Sequence, residues 1–304
     1  MNTMPLLVRR EFWEHRAFVI APAIVAAFWL VLALLAGIFG EFEVDELRAV
    51  MQNHPDLEHR APDAVAGLLV SLTIPFAIVM GVVAVFYLLD SLYADRRDRS
   101  VLFWKSLPVS DRSTVLSKLA TVGVALPLLT FAAALATTLV VAFIACVRLS
   151  IEGIHIWHLL WNPVVWFAAH GIFLYALAAA VLWYLPVFAY LLLVSAAAGR
   201  AVMLWAVLPP LGLMLVEKII FRTEYVADVI GNRIGGWMPL ALNVGQGGEH
   251  ALVIDGKRVP FSTHIGDIID PATFLSSPGL WLGLLAAAVL TYAAIVVRRH
   301  RSDV

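Results

Sequence analysis

Six long apolar stretches decide what this chain can fold into: residues 18–39, 66–90, 119–146, 164–197, 202–221 and 279–297. Each is long enough, at about 1.5 Å per residue, to cross a hydrocarbon layer of about 30 Å. Water offers such stretches nowhere to go, because 62% of the chain is hydrophobic and only 14% is charged. Soluble domains carry roughly 25% charged residues. The sequence therefore predicts an all-α polytopic membrane protein with six transmembrane helices, folded as a single domain over residues 1–304.

Lysine and arginine set the expected orientation. With the N-terminus inside, thirteen of the 21 Lys and Arg residues fall on the inner side and eight on the outer. Both termini are thus expected in the cytoplasm. Residues 164–197 would form a helix of about 50 Å. Splitting it in two would carry Arg298, Arg299 and Arg301 outside, so one long helix is expected, starting near Pro163 and kinked near Pro186. Trp157, Trp161 and Trp166 at its outer end read as an interfacial belt. A long outer loop, residues 222–278, precedes the last span, and Asp255-Gly256 within it predicts a small hairpin over Leu252–Val259. The opening residues 1–17 read as an interfacial helix bearing Arg9, Arg10, Glu11 and Glu14.

The richest charge cluster lies in the inner connection between spans two and three, residues 91–118. It reads Asp95-Arg96-Arg97-Asp98-Arg99, then an apolar set with Phe103 and Trp104, then the turn Leu107-Pro108-Val109-Ser110. Ser110 or Asp111 is placed to cap a helix that starts near Arg112 and runs into the third span. Such a knuckle offers aromatics, charge and backbone to a partner while joined to two spans.

A charged run after the second span, an apolar stretch, Leu-Pro-Val-Ser and a following Lys118 together resemble the permease class of type-two ATP-binding-cassette exporters. In that family the loop is a coupling helix docked in a groove of the ATPase subunit. The segment Leu7–Arg16 is similar to the family's connecting helix, and the long outer loop matches one that often forms short re-entrant helices. Many members carry Glu and then Gly-Thr where this chain has Arg99-Ser100. The resemblance implies a permease of a bacterial inner membrane that exports an amphipathic substrate such as a peptide, drug or lipid. It also implies a separate ATPase, with ATP and Mg on that partner, and permeases working in pairs, a homodimer by default. The docking residues would be Asp95, Arg96, Arg97, Asp98, Arg99, Phe103, Trp104, Leu107, Pro108, Val109 and Ser110.

The residues agree on one point independently. No G-x-x-x-x-G-K-[ST] phosphate loop occurs, so the chain is not expected to hydrolyse ATP or to be an enzyme. A net charge of −1 without a basic stripe argues against a nucleic-acid partner. The lone Cys146 excludes an internal disulfide. His155 and His158 share a helix face, but no H-E-x-x-H or carboxylate set surrounds them, and no metal or bound cofactor is expected. His170, an ionisable residue inside span four, and Pro209-Pro210, which release backbone carbonyls in span five, are the candidates for a translocation path. Glu217-Lys218 reads as a local ion pair. The alternatives are a stand-alone secondary transporter, which calls for an inverted repeat, and an intramembrane enzyme, which calls for paired catalytic groups at one depth. The sequence supplies neither feature.

Overall fold

A computed structural model describes residues 4–39, 56–98, 110–243, 251–254, 257–260 and 268–300. Helix α1 covers Met4–Glu14, and a break at His15 and Arg16 leads into α2, Ala17–Phe39. Helix α3 runs over Asp56–Arg97 and α4 over Asp111–Ala120. A π-helical turn at Thr121–Ala125 joins α4 to α5, Leu126–Ile151. Pro127 has no N–H to return to the preceding turn, and the i→i+5 bond from Leu126 N–H to Thr121 O absorbs the mismatch just before it.

A short α6, Trp157–Leu160, precedes α7, Pro163–Ala197. Asn162 caps α7 by accepting from Val164 N–H at 2.9 Å, and Pro163 fills the first helical position, where an N–H would go unused. The helix continues through Pro186 as one element. Helix α8, Val202–Val216, ends in a second π-helical turn, Glu217–Phe221.

The long loop before the last span contains α9 (Tyr225–Gly235), α10 (Trp237–Ala241), strands β1 (Ala251–Ile254) and β2 (Lys257–Pro260), and α11 (Pro271–Ser276). The strands pair antiparallel with Ile254 opposite Lys257, the register expected of a two-residue turn, while Asp255 and Gly256 lie outside the described residues. Helix α12, Pro278–His300, closes the chain.

Among the described residues, six helical stretches are long and apolar enough to cross a membrane: Ala17–Phe39, Ala61–Arg97, Asp111–Ile151, Trp157–Ala197, Val202–Phe221 and Pro278–His300. They make the chain a helical, multi-pass membrane protein, and they match the six predicted stretches one for one. The second, third and fourth have 37, 41 and 41 residues, against 23, 20 and 23 for the others. At the standard rise the long ones reach about 55–60 Å, well beyond a hydrocarbon layer of about 30 Å.

Helices α3 and α7 run parallel along most of their length. Leu69 clusters with Val165 and Ala169, Phe76 with Phe173, and Leu88 with Leu192. Helix α12 lies along the second half of α7. The C-terminal ends of α3, α7 and α12 thus meet at one end of the bundle, called the base below, where α1, α2, α4 and α8 begin. Helix α8 is the outlier, leaving most of its side chains exposed at the flank of the bundle.

Arg200 and Ala201 close the tight link from α7 to α8, and Ala201 sits in the left-handed region at φ 50°. An alanine there carries a Cβ penalty that glycine lacks. Ala201→Gly is therefore expected to raise stability by up to about 1 kcal/mol. A thermal unfolding midpoint above that of the wild type would show it, and no rise or a drop would refute it.

Candidate functional site

The base holds a network of buried charge. Glu11 on α1 is fully buried, and Lys118 on α4 has 1% of its surface exposed. Lys118 Nζ donates to both carboxylate oxygens of Glu11 at 3.3 Å. Tyr87 Oη–H on α3 donates to Glu11 Oε2 at 2.8 Å, and Arg10 Nη2 donates to Oε1 at 2.9 Å. Lys118 Nζ also lies 4.0 Å from Asp95 Oδ2 near the end of α3. Arg298 near the end of α12 then extends the network. Its Nη1 donates to Asp95 Oδ2 at 3.0 Å and its Nε to Asp111 Oδ1 at 3.1 Å. Glu11, Asp95 and Asp111 are thereby matched by Arg10, Lys118 and Arg298.

Charges this deep persist only when paired and hydrogen-bonded, since an isolated one costs several kcal/mol to desolvate. Here the pairs join four segments that are far apart in sequence: α1, the end of α3, the start of α4 and the end of α12. Around them pack His15, Phe18 and Tyr87, with ring centroids 4.8 to 5.6 Å apart. Burial pushes the Glu14 carboxyl above its ordinary range, and Arg10 beside it pulls it back.

A second set of polar contacts fastens α3 to α7. The fully buried Ser195 Oγ accepts from Leu92 N–H at 3.1 Å and Tyr93 N–H at 3.0 Å. Arg96 Nη2 donates to Ser195 O at 2.6 Å and to Ala198 O at 2.8 Å. The guanidinium thus caps the negative end of α7, where the last carbonyls lack helical partners.

These contacts reassign part of the predicted docking set. Asp95 is buried and Arg96 half-buried, and both face into the bundle, so they fasten helices together at the root of the loop. Arg97 and Asp98 are exposed and pair with each other at 3.0 Å, and Asp90 lies 3.9 Å from Arg97. Ser110 is exposed and caps α4 by accepting from Ser113 N–H at 3.1 Å, with Asp111 as the first helical residue. Arg99, Phe103, Trp104, Leu107, Pro108 and Val109 lie outside the described residues.

On α1 the expected polar residues separate. Glu11 turns in, Arg10 is half-buried, and Arg9 is exposed with its guanidinium 4.7 Å from the Trp13 ring centre. The helix faces the protein with Leu7 and Glu11 and leaves Leu6 and Trp13 outside.

His170 is enclosed between α5 and α7. Its Nδ1 lies 3.1 Å from Trp166 O and its Nε2 3.0 Å from Thr138 Oγ1. A carbonyl can only accept, so Nδ1 carries a proton. The ring continues a stack from Trp157 through Trp161 and Trp166, the last step being 4.9 Å at 5°. This is a residue packed between helices with both ring nitrogens engaged. Pro209 lies on the exposed face of α8, away from the other spans, and Pro210 is half-buried. Glu217 and Lys218 do not pair with each other. Glu217 accepts from Tyr225 and Val226 N–H at 2.8 and 2.7 Å, capping α9, while Lys218 pairs with Glu224 at 3.0 Å. The N–H groups at the start of α9, which lack partners within the helix, are the stronger attraction for a carboxylate.

Among the described residues, the carboxylate and imidazole atoms close enough together to share an ion are those of Glu11, Glu14 and His15. The Glu11 oxygens already accept from Arg10, Tyr87 and Lys118. A groove of about 550 Å³ opens beside them between α2, α3 and α8, with Phe18, Phe86, Tyr93 and Met203 in its wall and His15 and Asp90 at its polar points.

No protein-family model, curated protein or solved structure matches this chain.

Proposed function

We propose that the chain is the permease subunit of an ATP-binding-cassette exporter in a bacterial inner membrane, with the base facing the cytoplasm. A separate ATPase, carrying ATP and Mg, docks on the connection between Arg97 and Ser110. One observation carries the reading. The residues that root both ends of that connection, Asp95 and Asp111, enter the same buried charge network as α1 and α12. Force applied at the connection therefore reaches two long spans, the N-terminal helix and the last span through ion pairs within a packed base. A connection needed only to link two helices has no use for such a root.

The groove beside α2 suits an amphipathic cargo. Its apolar wall and volume fall in the range of small-molecule sites, about 300–1,000 Å³, and His15 and Asp90 offer polar contacts. Two permeases, identical by default, would face each other so that the paired ATPases close across two nucleotides.

The test is co-purification in mild detergent. A tagged wild type is expected to bring down an ATPase of separate sequence, and a variant with Arg97→Glu and Arg99→Glu is expected to lose it while eluting normally on gel filtration. A well-folded wild type that brings down no ATPase would sink the reading.

A further inference from the structure

We propose that Arg298 is a positioning residue that clamps the neck of the connection between α3 and α4 and makes the last span a third arm of the moving unit. This rests on the permease reading for its purpose, while its geometry stands on the described residues. Asp95 lies just before the connection and Asp111 just after it. One guanidinium bridges them, Nη1 to Asp95 at 3.0 Å and Nε to Asp111 at 3.1 Å.

Three features separate this clamp from an ordinary surface pair. First, Arg298 is 7% exposed and Asp95 8%, so solvent barely screens that arm, while Asp111 on the other arm is half-buried. Second, the clamp uses two edges of a planar fork, a geometry that a lysine's point charge cannot reproduce. Third, the residue is held from above. Ala294, one turn earlier on α12, is fully buried in the core cluster that contains Leu192 and Val115, and Thr291 is buried a turn before that. The last turn of α12 is therefore seated against α4 and α7, and the guanidinium has little freedom to leave.

A cation at a helix C-terminus is favourable whatever it contacts, so the dull alternative is a charge that only settles the end of α12. Lysine separates the two ideas. Arg298→Lys keeps the cation at the helix end and loses the bridge.

The test follows backbone hydrogen exchange of 291–300 in the full-length protein in detergent, with no ATPase present. If the clamp operates, Asp111→Asn in the wild-type background speeds exchange across 291–300 on the order of tenfold, the effect of losing one charge-assisted bond. In the Arg298→Lys background, exchange there is already raised, and adding Asp111→Asn changes it no further. Two additive effects, or no response of 291–300 to Asp111→Asn, would overturn the clamp. Arg298→Gln serves as a second variant with the same expected non-additivity. Because no partner enters this measurement, its outcome is independent of whether an ATPase co-purifies.

Discussion

Lys118→Met is expected to cost about 3 kcal/mol of stability, the lower end of the range for breaking a buried ion pair. The mechanism is the exposure of Glu11 to an unbalanced interior, since that carboxylate is fully buried. The lower end applies because Arg10 stays 2.9 Å from Glu11 and Tyr87 still donates at 2.8 Å. The damage should come from what is left behind, and this gives the prediction its edge. Replacing Glu11 and Lys118 with methionine and Tyr87 with phenylalanine removes the fully buried pair and its phenol donor together, and leaves the half-buried Arg10 with Glu14 at 3.2 Å as its partner. That triple variant should recover most of the loss, as apolar replacements of buried ion pairs commonly do. Thermal unfolding in mild detergent measures both. A Lys118→Met protein within about 0.5 kcal/mol of wild type, the range of an ordinary surface change, would mean that the pair is not dry.

The six spans were legible because apolar length is a one-dimensional signal. The start of α7 was legible for a similar reason: Pro163 acts within one turn, and the structure places it first in the helix, behind the capping Asn162. The hairpin register followed from Asp-Gly in the same way. The charge network was not legible. Glu11 and Lys118 are separated by more than a hundred residues, and in the sequence Lys118 reads as an inner positive charge and as part of the loop resemblance, with nothing to pair it to Glu11. One signal could have flagged it: a lysine at the foot of an apolar span needs an acid nearby, and Glu11 sits in an amphipathic segment expected at the same end. Asp95 and Arg96 were grouped with Arg97 and Asp98 because charge looks alike along a chain. Only the helix turn sorts them, sending Asp95 inward and Arg97 outward. His170 shows the converse. Its type and depth suggest a path, and the structure shows it bonded to Thr138 on α5, with Trp166 O on its own helix holding the other ring nitrogen.

The far side of the molecule carries the other large effect. Trp183→Ala is expected to cost about 3–5 kcal/mol, the range for truncating a buried aromatic. Trp183 is 1% exposed and holds the loop layer onto α7. Its indole N–H donates to Arg233 O at 3.0 Å, and the Arg233 guanidinium lies 4.4 Å from its ring centre. That guanidinium also donates to Trp183 O at 3.2 Å and Gly279 O at 2.9 Å, so α9, α7 and α12 meet at one cation. Burial lowers the Arg233 pKa, yet an arginine stays charged at any physiological pH. Space for it comes from Gly283, where a Cβ would sit 2.7 Å from both Nη atoms. Gly283→Ala should therefore expel the guanidinium and reproduce the loss expected of Arg233→Met, which keeps much of the stem and removes the charge. Combining the two should cost little more than either alone, because each breaks the same seat. If the double variant instead shows the sum of the single losses in thermal unfolding, Arg233 does not occupy the space above Gly283, and the loop layer is held by Trp183 and its apolar neighbours without it.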